Sequence, residues 1–176
     1  MRETIDSLLE RVNLSVYAVL RRGDFDAIVG PGRLAISEGP LIAKKVRTCI
    51  TVVLKPNMIE QGGVKAMLHY NGEEEPLEVF MRETNKRIPA GVAILAGAAS
   101  YLGCGARNLE AVVATLGAAG IQIVSQDIGG HFERTVVADS AGIFIRRRLY
   151  SPLSAVNAGL YRNYEEIDGT VETIWL

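Results

Sequence analysis

The sequence predicts an α+β fold in which strands outnumber helices. Short runs rich in β-branched residues recur along the chain, and turn residues join most of them directly. Only three segments carry helical spacing, so the strand–helix alternation of a doubly wound parallel sheet is missing.

In chain order, Ile5, Leu8, Leu9 and Val12 recur at helical spacing and predict a short amphipathic helix. "SVYAVL" and "DFDAIVG" read as strands joined by a turn at Arg22-Gly23-Asp24. "GPGRLAISEGPL" is punctuated by Gly and Pro and holds one short strand. Two strands follow, at about 48–54 and 64–70, around the loop "KPNMIEQGG". "EEEPLEVFMRETNKRI" predicts a helix with Leu77, Phe80 and Met81 on one side. "GVAILAGAA" is apolar without alternation, as a strand buried on both faces would be. "GARNLEAVVATLGAAG" is the clearest helix: Leu109, Val112, Val113 and Leu116 form its stripe, and Gly120 suits the left-handed position that ends such helices. "IQIVSQDIGG" predicts a strand entering a double-glycine turn, and "RTVVADSAGIFIRRRL" a hairpin around Asp139-Ser140-Ala141-Gly142. The remaining tail is weakly patterned, with one strand at "TVETIWL".

With 176 residues, no linker and no repeat, one domain over 1–176 is expected, its core at about 34–150 and an extension at each end. Nineteen basic against twenty acidic residues give a formal charge of -1, so no field draws the protein to nucleic acid or to an anionic membrane. "MRETIDSLLERV" has no apolar core of a signal peptide, and no apolar run is long enough for membrane insertion. Two cysteines are too few for a disulfide framework, which points to a reduced, cytoplasmic protein. No cofactor fingerprint is present, and two His with two scattered Cys offer no metal site.

Cys49 heads a β-branched strand directly after a basic stretch. If the two strands around "KPNMIEQGG" form a hairpin with Leu54 opposite Val64, Cys49 falls opposite His69. Opposed side chains have Cβ atoms about 4.5–5.5 Å apart, close enough for a thiol and an imidazole to share a proton. Residue type alone reads otherwise: Cys49 as a small core residue, His69 as a strand-end histidine held by a backbone carbonyl.

"GARNLEAVVATLGAAGIQIVSQDIGGHFERTVVADSAGIFIRRR" resembles the CheD family of chemoreceptor glutamine deamidases. The shared features are Gly105-Ala106-Arg107-Asn108 with Glu110, Ala111 and Val112, then Asp127, Gly129, Gly130 and Arg134 before a basic hairpin strand. "AGAAS" at 96–100 is similar to the family's strand end, while "RLAISEGPLIAKKVRTCITVV" and "VKAMLH" fit its upstream order. The resemblance implies a two-sheet sandwich with flanking helices, the cysteine hydrolase fold shared with cytotoxic necrotizing factor toxins. It also implies Cys49 as nucleophile, His69 as base, receptor glutamine amides as substrate and, for some members, a CheC-type phosphatase as partner.

The chain departs from the pattern at the site. The family's Gly-x-Gly-Ser before the cysteine reads Lys45-Val46-Arg47-Thr48, where Arg47 could obstruct the site or could lower the thiol pKa. The family's catalytic threonine falls on Ala43, leaving Thr48 or Thr51 as substitutes; Thr51 would share a strand face with Cys49. Cys104, where a helix start favours a thiolate, is apolar in the family and reads as a packing residue. His131 reads as exposed, and Arg146-Arg147-Arg148 as a solvated strand edge. The expectation is a Cys–His amidohydrolase acting on protein glutamines. A CheD-like binding module without catalysis and a cysteine hydrolase of small amides are the other readings.

Overall fold

A computed structural model of the protein describes residues 25–57, 63–100, 103–139, 142–149 and 172–174. Among them lie ten strands: β1 (Ala27–Ile28), β2 (Arg33–Ser37), β3 (Leu41–Val46), β4 (Ile50–Pro56), β5 (Lys65–Tyr70), β6 (Gly91–Gly97), β7 (Gln122–Ile128), β8 (Phe132–Asp139), β9 (Gly142–Leu149) and β10 (Glu172–Ile174). Two helices are described, α1 (Glu74–Arg87) and α2 (Cys104–Ala118). The expected N-terminal helix, the strand at "SVYAVL" and the Ser140-Ala141 tip lie outside the described residues.

The strands form two five-stranded mixed sheets, ordered β1-β3-β8-β9-β10 and β2-β5-β4-β6-β7. Most neighbours are antiparallel; β1–β3 and β6–β7 are the parallel pairs. This is the α+β class, and the layers follow from alternation along the strands. In β4, Val53 faces the other sheet, packing with Leu41, Met67, Ile94, Val136 and Ile145. Its neighbours Val52 and Leu54 face the helices, packing with Phe80 of α1 and Val112 and Leu116 of α2. The inner strand β6 is buried along its whole length, as its unbroken apolar run requires.

Several expectations change. Leu41–Val46 is a strand, hidden in the sequence by its two lysines. A register irregularity between Ala43 and Val46, with Lys45 at φ 56°, turns Val46 back into the core. Val113 is 41% exposed, because successive helical residues point about 100° apart and Val112 takes the inward position. Both edge strands of the first sheet, β1 and β10, come from outside the expected 34–150 core. Gly120 has φ +69°, closing α2 as expected.

Candidate active site at the Cys49 bend

The site begins with a backbone that leaves the sheet. β4 starts at Ile50, and residues 47–49 form a bend before it. Each carbonyl of that bend has a partner far away in sequence. Ala99 N donates to Arg47 O and Ala98 N to Cys49 O, both at 2.9 Å, while Asn108 Nδ2 of α2 donates to Thr48 O at 3.1 Å. The approach is tight enough to dictate glycine. A Cβ at Gly97, whose φ is +130°, would collide with the Cys49 carbonyl oxygen, and one at Gly105 would lie 2.6 Å from Ala99 O. Ala98 is also left-handed, at φ 53°, so the chain is strained where it grips the bend.

The pairing of β4 with β5 differs from the expectation by two residues. Thr51, not Cys49, stands opposite His69, because the ladder begins only after the captured bend. A shift of two preserves the face. Thr51 and His69 therefore lie on the inter-sheet side, and Cys49 packs partly buried against that same core. Thr48 enters the site through its carbonyl, held by Asn108.

His69 is fully buried. Its Nδ1 lies 3.1 Å from Val29 O, and since a carbonyl can only accept, Nδ1 carries the hydrogen. In the neutral ring Nε2 is then a bare lone pair, and among the described residues it is buried without a hydrogen-bond partner. Thr51 Oγ1, across the strand pair, is likewise buried with no partner among the described residues. Burial holds the His69 pKa below its ordinary value, with the Val29 bond opposing, so the ring stays neutral. Burial likewise pushes the Cys49 thiol up, and the electrostatic influence of Cys104 adds to this, against a pull from Cys49's own backbone N–H. The resting corner thus holds a thiol, a neutral base and a hydroxyl rather than an ion pair.

Farther along the same row of the second sheet, Thr51 pairs with Ala96 and Ala96 with Asp127. Asp127 closes a different kind of cluster. Its Oδ1 accepts from Arg134 Nη2 at 3.1 Å and its Oδ2 from Arg147 Nε at 2.9 Å, and Arg134 also reaches Gly129 O at 2.9 Å. Burial alone would raise this carboxyl, but the bonds from Arg134 and then Arg147 outweigh it and hold the pKa below the ordinary value. Arg134 itself is 1% exposed, over the Phe132 ring. The double glycine, both members at positive φ, turns the chain so that Gly129 O meets this guanidinium. Arg147 therefore belongs to a buried network rather than to a solvated edge, whereas His131 is exposed.

Residues 81–146, which hold the helix that grips Thr48 and the Asp127–Arg134 cluster, match the family model described as CheD chemotactic sensory transduction. The match supports membership of the CheD family. The chain matches no curated protein. The CheD segment contains Gly97, Gly105, Asn108, Asp127 and Arg134, which shape the bend and its surroundings; Cys49, Thr51 and His69 lie upstream of it.

The arginine of the bend has a partner on the facing sheet. Arg47 Nε donates to Glu133 Oε2 at 2.7 Å, with the two side chains 25% and 10% exposed. Nothing local in the sequence relates two residues this far apart; only the fold brings β8 against the bend. Among the described residues no three His, Cys, Asp or Glu side chains are grouped to hold a metal ion. No described helix is long and apolar enough to cross a membrane.

Proposed function

We propose that this chain is a CheD-type protein-glutamine amidohydrolase with the cysteine-hydrolase sandwich fold that CheD shares with cytotoxic necrotizing factor toxins. It acts in chemotaxis on the cytoplasmic helices of chemoreceptors. One observation carries the reading: a buried histidine, its tautomer fixed by Val29 O, keeps an unpartnered Nε2 on the face that also holds Cys49 and Thr51. Orphaned buried polar atoms are costly, and such groups concentrate where function requires them.

The chemistry follows from these protonation states. A glutamine side chain enters beside Cys49, whose S–H proton passes to His69 Nε2 as sulfur attacks the amide carbon. The carbonyl oxygen becomes an oxyanion, for which backbone N–H groups near residue 49 serve as donors in this scheme. The Nε2 proton then goes to the amide nitrogen, ammonia leaves and a thioester remains. Water attacks the thioester, again with His69 as base, giving glutamate and the free thiol. Thr51 is a positioning residue in this scheme, its oxygen accepting from Nε2–H while the ring is protonated.

The experiment is deamidation of receptor cytoplasmic fragments followed by peptide mass. Wild type is expected to convert particular glutamines to glutamate, and Cys49→Ala and His69→Ala to convert none. A second reading draws on the raised thiol and on Arg47, which is pinned where the family has glycine. In that reading the chain is a non-catalytic binding module for a CheC-type phosphatase or another partner. Binding to a CheC-type phosphatase or to receptor fragments without any conversion would favour it and sink the enzyme.

A further inference from the structure

The two free cysteines belong to the two elements that meet where α2 docks on the bend at residues 47–49, although 54 residues lie between them in sequence. α2 docks on the nucleophile bend through Asn108, bonded to Thr48 O, and through Gly105, packed on Ala98 and Ala99. Cys104 directly precedes Gly105 and lies one helical turn before Asn108, hence on the side of α2 that meets the bend. Cys49 is tied into the same ridge by the bond from Ala98 N to its carbonyl. Both thiols are half-buried, and each lies within electrostatic reach of the other. No third ligand makes them a metal site among the described residues. Neither is locked in a ladder: Cys49 sits in a bend, and Cys104 is the first residue of a helix with no side-chain cap.

We propose that Cys49 and Cys104 are a redox pair, joined reversibly into an intramolecular disulfide by low-molecular-weight disulfides such as oxidised glutathione. One protein thiolate attacks the glutathione disulfide, forming a mixed disulfide and releasing one glutathione thiolate. The second protein thiol, losing its proton, attacks the protein sulfur of that mixed disulfide and expels the second glutathione. Two protein thiols are oxidised and one glutathione disulfide is reduced to two thiols, so the exchange balances. The pair forms by proximity alone; its consequence, removal of the nucleophile, rests on the deamidase reading.

The test is equilibration of the full chain with glutathione redox buffers, acid quench, and intact and peptide mass spectrometry. The expected product is a monomer lighter by two hydrogens, with a linked Cys49–Cys104 peptide, restored by dithiothreitol. Cys104→Ser is expected to retain a glutathione adduct at Cys49 instead. Separate glutathione adducts on both cysteines of the wild type, or linkage only between two chains or only in denaturant, would overturn the proposal. Deamidation, followed in parallel, separates the two ideas: a linked peptide in an inactive protein leaves the pair standing, and activity without linkage leaves the enzyme standing.

Discussion

Two polar clusters share one row of the second sheet and differ in how they are paired. At Asp127, both carboxylate oxygens accept from arginines of the facing sheet, although Arg134 Nε is buried without a partner among the described residues. At Thr51 and His69, equally buried, a hydroxyl and a ring nitrogen have no partner among the described residues. The first arrangement offsets the loss of water with charge-assisted bonds, and it holds the double-glycine turn against the sandwich. The second leaves a stability deficit beside a half-buried thiol. The contrast lies in the acceptors: the Asp127 carboxylate is paired at both oxygens, whereas Thr51 Oγ1 and His69 Nε2 have no partner among the described residues, and the proposed function rests on the latter.

The largest test of this contrast is Arg134→Met. It leaves a buried carboxylate half paired, and breaking such a pair costs roughly 3–5 kcal/mol. Urea denaturation should show a loss of that order, while the isolated stretch around His69 keeps its pairing. Next is Gly97→Ala, which imposes a side chain at φ +130° against the Cys49 carbonyl. A loss on the order of 1–3 kcal/mol is expected, together with an altered alkylation rate at Cys49. Gly117→Ala is the control: nothing lies within 4 Å of its Cβ position, so a gain of about 0.5–1 kcal/mol is expected.

Acid separates the clusters further. The His69 pKa lies below 6.5 in the fold, so only the unfolded chain gains a proton just under that value. Its contribution is complete above 6.5 and is lost as pH falls through the lower folded value. Asp127 behaves with the same sign in a lower window: its contribution is complete above 3.8 and is lost as pH falls through its depressed folded value. Denaturation midpoints measured from neutral to acidic pH should fall in two stages, with His69→Gln removing the upper stage and Asp127→Asn the lower. The smallest effect on stability is Thr51→Val, which removes an unsatisfied hydroxyl at nearly constant shape and should change stability by less than ~1 kcal/mol. Deamidation by the same variant should fall at least ~10-fold, about 1.4 kcal/mol in the barrier. Loss of stability with unchanged activity would make Thr51 an ordinary packing residue.

The sequence made the elements legible wherever pattern and burial coincide. β6 could be read from its unbroken apolar run, α1 from Leu77, Phe80 and Met81, and β10 from "TVETIWL". β3 could not, because period two breaks at the Lys45 bulge. The register of β4 on β5 was hidden for a more general reason. It is fixed by Ala98, Ala99 and Asn108 capturing the carbonyls of residues 47–49, bonds that span 49 to 60 positions of sequence. The register assumed from the sequence nevertheless had the right parity, which puts Thr51 and His69 on one face, and Cys49 packs against the same core from the bend. The Arg47–Glu133 pair left no local trace, since an arginine after "KKV" and a glutamate in "HFERT" each read as surface charge.

The central claim is that His69 is a neutral base presenting Nε2 into the corner it shares with Cys49 and Thr51. Nitrogen NMR of the labelled imidazole, followed across pH, tests it directly. The account predicts a protonated Nδ1 and a bare Nε2, with titration only below pH 6.5. A bare Nδ1, or a ring that titrates at or above that value, would contradict it and remove the base from the proposed enzyme.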